Sequence, residues 1–183
     1  MRAALLLHVL ASTVALAAGS ASATPEFHPS QTAAEQTLAR ILTLDRDKPE
    51  QINPAIGSSG RRPHTTPPPG AIYLKYLTMP LALAILAEES RDVKVECGGI
   101  YKSGEECGMD SDPIICAQDS PDSYLFRTKR SRPSLAIVEA AWPPGQGAQI
   151  KADASYRLKL TDGVWKIDGI SCGAGGAYNW SAR

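Results

Sequence analysis

Residues 149–161 alternate between polar and apolar side chains without a break. A period of two residues is typical of a strand that buries one face. The dipeptide Asp162-Gly163 follows directly and is a strong signal for a two-residue hairpin turn. The sequence therefore predicts an antiparallel hairpin whose first strand has these residues on its inner face: Ile150, Ala152, Ala154, Tyr156, Leu158 and Leu160.

The turn also predicts the register of this hairpin. It sets Leu160 opposite Trp165 and Leu158 opposite Ile167, so that apolar side chains meet on one face. The polar face then carries one attractive and one repulsive pair of charges: Arg157 with Asp168, and Lys159 with Lys166.

Helical patterns precede the hairpin. A helix is predicted from about Gln31 to Leu44 with Ser30 as its cap, and a second from Met79 to about Ser90 with Thr78 as its cap. The second is apolar nearly all round, which is typical of a buried helix. Shorter elements are predicted as a helix at Ala71–Leu77 and strands at Val93–Glu96, Tyr124–Arg127 and Ser134–Trp142, followed by a turn at 143–147.

Two segments have the composition of irregular chain. Residues 49–70 contain Pro67-Pro68-Pro69 and further prolines, and they predict a mobile, linker-like insertion. Gly173-Ala174-Gly175-Gly176 begins a predicted flexible tail over 173–183. We therefore expect one α+β domain over residues 24–172 that contains the Pro-rich insertion.

The N-terminus has the layout of a secretory signal peptide. Met1-Arg2 is followed by an apolar run to Ala18 and by Ala21-Ser22-Ala23, which fits signal peptidase. A membrane anchor is the alternative, but the run is shorter than the roughly 20 apolar residues that a spanning helix needs. We expect residues 1–23 to be removed, leaving a periplasmic or secreted chain that begins at Thr24 and is not inserted in a membrane.

An even number of cysteines in an exported chain predicts disulfides. No C-x-x-C pair is present, so no metal site is predicted. Three pairings are possible, and we expect Cys97 with Cys107 and Cys116 with Cys172. In a regular strand Cys172 would lie on the polar face, so this pairing needs either a bulge at Gly169 or a strand that ends at Ile170.

The overall charge gives no sign of a nucleic-acid partner. The 19 Lys and Arg residues balance the 19 Asp and Glu residues, so the chain lacks the basic excess of such proteins. A local basic cluster precedes Pro133 and is either a site for an anion or acidic partner or a solvated loop; it consists of Arg127, Lys129, Arg130 and Arg132.

Helices followed by a meander are an α+β order. Three segments resemble a nuclear transport factor 2-like domain, the cone-shaped fold shared with ketosteroid isomerase: residues Tyr76–Leu81, Asp112–Asp119 and Gly163–Ile170. More narrowly, the chain resembles a bacterial family of exported, uncharacterised domains. The resemblance covers about 71–172 and the first helix. It implies helices packed on a curved antiparallel sheet and brings no established reaction.

No catalytic residue or cofactor is predicted. The two histidines after the leader, His28 and His64, fall in segments without predicted structure, and no G-x-S-x-G elbow occurs. The inner face of the long strand has no carboxylate. These absences favour a non-catalytic domain that binds a protein or a small ligand, one version being a toxin-neutralising partner. The alternative is a small-molecule enzyme that uses the cone interior, with Asp112, Asp119 or Tyr156 as acid or base.

Two groups of residues are candidate ligand contacts. One lies in the polar segment between the helices and the sheet, and its alternative is turn chemistry. The other consists of strand aromatics, for which core packing is the alternative. The six candidates are Asp112, Gln118 and Asp119 in the first group, and Trp142, Tyr156 and Trp165 in the second.

Overall fold

The computed structural model describes residues 25–57, 59–143, 150–173 and 179–181. The predicted signal peptide and residues 144–149 lie outside them. The described chain is an α+β domain, as predicted. Its helices are α1 (Ala33–Asp47) and α2 (Met79–Cys97), with short 3₁₀ helices at Pro49–Gln51 and Ile72–Lys75. Its strands are β1 (Leu125–Arg132), β2 (Leu135–Ala141), β3 (Ala154–Thr161), β4 (Val164–Cys172) and β5 (Asn179–Ser181), which form an antiparallel meander in chain order.

Helix α1 is capped by Thr32 and not by the predicted Ser30. The Thr32 hydroxyl accepts from the Glu35 N–H at 3.2 Å, while the Glu35 carboxylate accepts from the Thr32 N–H at 2.9 Å. This reciprocal box needs an acidic residue three positions after the cap. Ser30 has Ala33 there, so the start of the helix moves to Thr32.

Helix α2 extends past its predicted end, and the strand predicted at Val93–Glu96 is wrong. Val93 and Cys97 continue the buried face that contains Glu89, because residues four apart lie on the same side of a helix. Gly98 ends the helix in the left-handed conformation with φ 72°. The helix is also not buried all round, since Met79 and Leu83 are exposed.

The first half of the Pro-rich insertion is part of the folded domain, which corrects the expectation that it cannot pack. Ile52 is fully buried, and Asn53 is nearly so. Further along, the Gly60 N–H donates to the Tyr101 carbonyl at 2.8 Å, and the Tyr101 N–H donates to the Arg61 carbonyl at 3.0 Å. One apolar anchor and a few backbone bonds thus hold a segment whose composition alone favours disorder.

The β3–β4 hairpin has the predicted register, with Leu160 opposite Trp165 and Leu158 opposite Ile167. The first strand begins at Ala154, later than predicted, so Ile150 and Ala152 lie outside it. A register shift lies between Arg157 and Leu158, so that Arg157 is opposite Gly169 and Asp168 has no partner opposite it. The bulge is therefore at Asp168 and not at the expected Gly169. This bulge turns the end of β4 over, and Ile170 and Cys172 are buried.

Two further segments differ from their predicted irregular structure. The basic residues 127–132 belong to β1 and not to a loop, because they pair with β2 from Arg127 opposite Glu139 to Arg132 opposite Leu135. Residues Asn179–Ser181 of the predicted flexible tail form β5, which pairs with β4 after the bulge. There the second edge of β4 has backbone N–H and C=O groups with which another strand can form hydrogen bonds.

The core lies between the inner face of the sheet and the two helices. Tyr156, Leu158 and Ile167 pack with residues of α1 and α2, among them Leu38, Ile41, Leu81 and Ile85. Within the described residues, no helix is long and apolar enough to cross a membrane.

Candidate functional site

Both expected disulfides are formed, Cys97–Cys107 and Cys116–Cys172. The second fastens the turn at 112–117 to the end of β4. Within that turn the Asp112 N–H donates to the Ala117 carbonyl, and the Cys116 N–H donates to the Asp112 carbonyl, each at 2.9 Å. The part of the polar segment that contains Asp112 is therefore fastened to the sheet.

The Asp112 side chain organises this turn. Its Oδ1 accepts from the N–H groups of Ile114 at 2.6 Å and Ile115 at 3.3 Å, and its Oδ2 accepts from Asn53 Nδ2 at 2.8 Å. Burial raises the pKa of Asp112 even though these hydrogen bonds favour the charged form. The bonds to Ile114 and Ile115 are the turn chemistry that was the alternative to a ligand site, and the unpredicted bond to Asn53 joins the turn to the Pro-rich segment.

Tyr156 meets the same turn from the sheet. Its side chain is fully buried, and its hydroxyl donates to the Ile114 carbonyl at 2.8 Å. Ile114 thus accepts from Tyr156 and donates to Asp112. Of the six predicted ligand residues, these two are brought together.

The other four predicted residues are not gathered at this point. Gln118 and Asp119 are exposed. Trp142 and Trp165 are half-buried and lie at opposite ends of the sheet. Trp142 comes directly after the end of β2, while Trp165 lies beside the hairpin turn. Trp165 packs against the core, and the backbone N–H of Trp142 donates to Asp153 Oδ2 at 2.6 Å.

Asp45 is a buried acid that the sequence reasoning missed. It is only 2% exposed, and its Oδ1 has no hydrogen-bond partner among the described residues. Burial, together with the charge of Asp112, raises its pKa to about 8. The burial of Asp45 could have been predicted from the spacing of Leu38, Ile41 and Leu42, because position 45 continues their buried helix face.

The charges of Asp45 and Asp112 both act on the Tyr124 hydroxyl. This hydroxyl is also buried without a described partner, and burial followed by the charges of Asp45 and Asp112 raises its pKa. We call Asp45, Asp112, Tyr124 and Tyr156 the acid cluster. The inner face of β3 itself has no carboxylate, but α1 brings the buried Asp45 into the interior, and the 112–117 turn brings the half-buried Asp112 close enough to affect the pKa of Asp45.

A groove of about 310 Å³ lies between the Pro-rich segment and the loop after α2. We call it the Glu89 groove. Among its described lining residues are two carboxylates and no Lys or Arg. Its polar side chains are Asn53, Glu89, Tyr101, Ser111 and Asp112.

Glu89 is 4% exposed and is held from two sides. Its Oε1 accepts from the Tyr101 hydroxyl at 2.7 Å, and its Oε2 accepts from the Met109 N–H at 2.9 Å. Burial raises the pKa of Glu89 despite these two bonds, and the nearby charges of Asp92 and Glu96 add to the effect. Glu89 lies four residues after Ile85 on the buried face of α2, so its burial could have been predicted from the helical spacing.

Two glycines allow the backbone to pack closely against the Tyr101 and Glu89 side chains. Gly57 lies against the Tyr101 ring, where a β-carbon would overlap it. Gly108 lies against the Glu89 carboxylate and has φ +96°. A smaller cavity of about 40 Å³ adjoins the groove and adds Arg61, Arg62 and His64 to its surroundings.

The closest grouping of metal-type ligand atoms in the described residues consists of Cys97, Cys107 and Glu105. Both sulfur atoms are in a disulfide, so they do not act as thiolate ligands. This grouping therefore gives no metal site.

Known proteins give no further guide to this site. No protein-family model matches the chain, and no curated protein or solved structure matches it either. The functional argument therefore depends on the geometry of the Glu89 groove and the acid cluster.

Proposed function

We propose that this chain is an exported, non-catalytic binding domain with a nuclear transport factor 2-like fold, and that the Glu89 groove binds a cationic group. The observation that carries the proposal is the lining: Glu89 and Asp112 border a groove whose described lining contains no Lys or Arg, and Arg61 and Arg62 line only the smaller adjoining cavity. The cation would be an amine or guanidinium, presented by a small ligand or by a side chain of a partner protein.

Two features support the fold and the export. Helices packed on one face of an antiparallel meander are the layout expected of a nuclear transport factor 2-like domain. Two disulfides are characteristic of proteins in an oxidising compartment.

Binding of a cation in the groove is coupled to loss of protons. Burial raises the pKa of both Glu89 and Asp112, which favours their neutral forms. A bound cation favours the charged forms and lowers both pKa values again. Affinity should therefore rise with pH, and binding should release protons to the buffer.

The test compares acetyl-lysine amide, whose ε-amine is charged, with acetyl-norleucine amide, which has a similar chain and no charge. NMR titration should show shifts of the Tyr101 and Met109 amides with the lysine compound alone. Calorimetry in buffers of different ionisation enthalpy should show the proton release. Glu89→Gln should abolish the shifts, while Glu50→Gln, at an exposed acid outside the groove lining, should retain them. Equal shifts with both compounds, or none, would contradict the proposal.

A second candidate function is a small-molecule enzyme, and Asp45 is the observation that favours it. A carboxyl group with a pKa of about 8 is protonated at neutral pH and can both give and take a proton. Asp112 influences Asp45 electrostatically and also lines the Glu89 groove. Proton transfer next to a carbonyl is one reaction that such a pair could support.

The enzyme candidate is tested by deuterium exchange. Small enolisable ketones are incubated with the protein in heavy water, and loss of the α-proton signal is followed by NMR. An enzyme should accelerate exchange, Asp45→Asn should abolish the acceleration, and Asp47→Asn, at an exposed position on the same helix, should not. Exchange at the rate of buffer alone would reject this candidate.

A further inference from the structure

The outer face of the sheet contains three cross-strand rows, and their charges differ. In the first, Arg127 lies opposite Glu139 and forms an ion pair with it. In the second, Arg157 pairs with Asp168 at 2.8 Å. Both rows contain a carboxylate that compensates a cation.

The third row has no such compensation. Register places Arg132 opposite Leu135, Leu135 opposite Lys159, and Lys159 opposite Lys166. We call Arg132, Lys159 and Lys166 the basic row. Like charges directly opposite each other destabilise a sheet, and the Lys166 ammonium is bonded to a carbonyl, that of Leu74, at 2.6 Å.

The neighbouring edge of the sheet adds to this positive surface. Arg130 and Arg132 are exposed on β1, which is an edge strand, and the exposed Lys129 between Thr128 and Arg130 shares the Glu139 carboxylate with Arg127. His28 pairs with Phe126 through two backbone hydrogen bonds, of 2.7 and 2.9 Å. Among the described residues, no backbone group pairs with the outer edge of β1 beyond Phe126.

We propose that this end of the sheet binds an acidic polypeptide segment in extended conformation, which adds to the β1 edge and places alternate carboxylates beside Arg130 and Arg132, while Lys159 and Lys166 add positive charge on the neighbouring strands. The positive charge selects an anionic partner. The open edge selects a polypeptide among anionic partners, because only a peptide backbone can continue the strand pairing.

This surface is separate from the Glu89 groove. Helix α2 begins beside β4, where the Thr78 N–H donates to the Ile167 carbonyl at 2.9 Å. Its 19 residues then extend about 28 Å to the loop that borders the groove. Lys94 lies near that distant end and is exposed, which makes it a matched control for charge reversal.

The probe is a fluorescent peptide of alternating Glu and Thr, titrated with the whole protein and followed by anisotropy. The double variant Arg130→Glu/Arg132→Glu should weaken binding at least about tenfold, and high salt should do the same. Lys94→Glu should change it less than about twofold, since it lies outside the surface. A peptide with Pro in place of Thr has the same charge but cannot pair as a strand, and it should bind more weakly.

Circular dichroism of each variant verifies that the fold is retained, and Arg132→Gln serves as a milder change if the double variant unfolds. Equal affinity of the Pro and Thr peptides would overturn the strand-addition part. Equal affinity of the double variant and the unmodified protein would overturn the whole proposal. Binding to vesicles of phosphatidylglycerol without peptide binding, or dimer formation that requires the basic row without peptide binding, would overturn it in favour of a lipid surface or a second copy of the chain.

Discussion

Two buried carboxylic acids on helix α1 have opposite environments. Glu35 is fully buried, but its oxygens accept from the N–H groups of Gln31 and Thr32 and from the Thr128 hydroxyl. Burial acts to raise the pKa of Glu35, and these bonds outweigh it, so the pKa is lowered. Asp45 has an oxygen with no described partner, and its pKa rises to about 8. Hydrogen bonds, and not burial alone, decide which acid remains charged.

We expect Asp45→Asn to flatten the dependence of stability on pH. The pKa of Asp45 is about 8 in the folded chain and has its ordinary value of 3.8 in the unfolded chain, so between these values the folded chain holds a proton that the unfolded chain has lost. Stability therefore falls as pH rises through this window, by at most about 1.4 kcal/mol per pH unit from this group, and the slope ends above the folded pKa.

Urea denaturation at intervals between about pH 5 and pH 9 measures this slope. Asp112 and Glu89 titrate in the same direction, so the informative quantity is the difference between the variant and the unmodified protein. Asp47→Asn, at an exposed acid of α1, provides the control. Parallel curves for Asp45→Asn and the unmodified protein would show that Asp45 is charged in the folded state.

Gly108 should tolerate alanine less well than Gly104 does. Both have positive φ, of 96° and 76°, but only at Gly108 would a β-carbon overlap Glu89. Gly104→Ala should cost about 1–2 kcal/mol of backbone strain, and Gly108→Ala about 1–3 kcal/mol more because the buried carboxyl must move. Thermal or urea unfolding of the two variants isolates the contact, and equal losses would argue against the tight packing on Glu89.

At the scale of elements, the two disulfides close loops of different length. The cysteines are separated by 10 residues in Cys97–Cys107 and by 56 in Cys116–Cys172. The longer link also joins the 112–117 turn, with Asp112, to the strand that follows the bulge. Its removal should therefore disturb the acid cluster as well as the free energy of unfolding.

We expect replacement of Cys116 and Cys172 by alanine to lower the free energy of unfolding by about 4 kcal/mol, and replacement of Cys97 and Cys107 by about 3 kcal/mol, on loop-entropy grounds. Denaturation of the two double variants measures both values. A larger loss from the short link would indicate that local packing around Glu89 outweighs loop entropy.

The hairpin could be predicted from the sequence because both of its determinants are local. The Asp162-Gly163 turn and the alternation of Leu158 and Leu160 specify the register without reference to other elements. The C-terminal part of α2 could not be predicted in this way, because Val93–Glu96 alternates between apolar and polar residues as a strand does. Only the helical face that continues through Val93 to Cys97, together with the disulfide there, makes it a helix.

The candidate site was less predictable for a related reason. The sequence indicates Asp112 as part of a polar segment and Tyr156 as a strand aromatic, but the groove depends on contacts between distant segments. Tyr101 bonds to Glu89 and Asn53 bonds to Asp112, and neither contact has a local sequence signal. The helical positions of Asp45 and Glu89 did have one, in the spacing of their apolar neighbours.

At the scale of the whole molecule, the chain has no net formal charge but an uneven distribution. The basic row lies beside the start of α2, whereas Asp92 and Glu96 lie in its last two turns. Negative charge at the carboxyl end of a helix opposes the helix dipole. This separation of charge makes the surface around the basic row positive and the Glu89 groove negative, while the net charge of the chain is zero.

We expect the chain to be exported and to begin at Thr24. Expressed with residues 1–23 in a bacterial host, it should be found in the periplasm, and its intact mass should match residues 24–183 with both disulfides formed. Ala21→Leu places a bulky residue where the peptidase requires a small one, and it should leave the uncleaved chain with the membrane. A periplasmic chain that still starts at Met1 would contradict the predicted cleavage.

The disulfides link neighbouring cysteines in chain order, first with second and third with fourth. In a chain that crosses a membrane N-terminus first, Cys107 emerges while Cys97 is the only other thiol available. Once these two have joined, Cys116 remains single until Cys172 follows. For the export that we propose, an oxidant that joins thiols as they emerge would make the native links in one pass, and we expect no need for an enzyme that reshuffles disulfides.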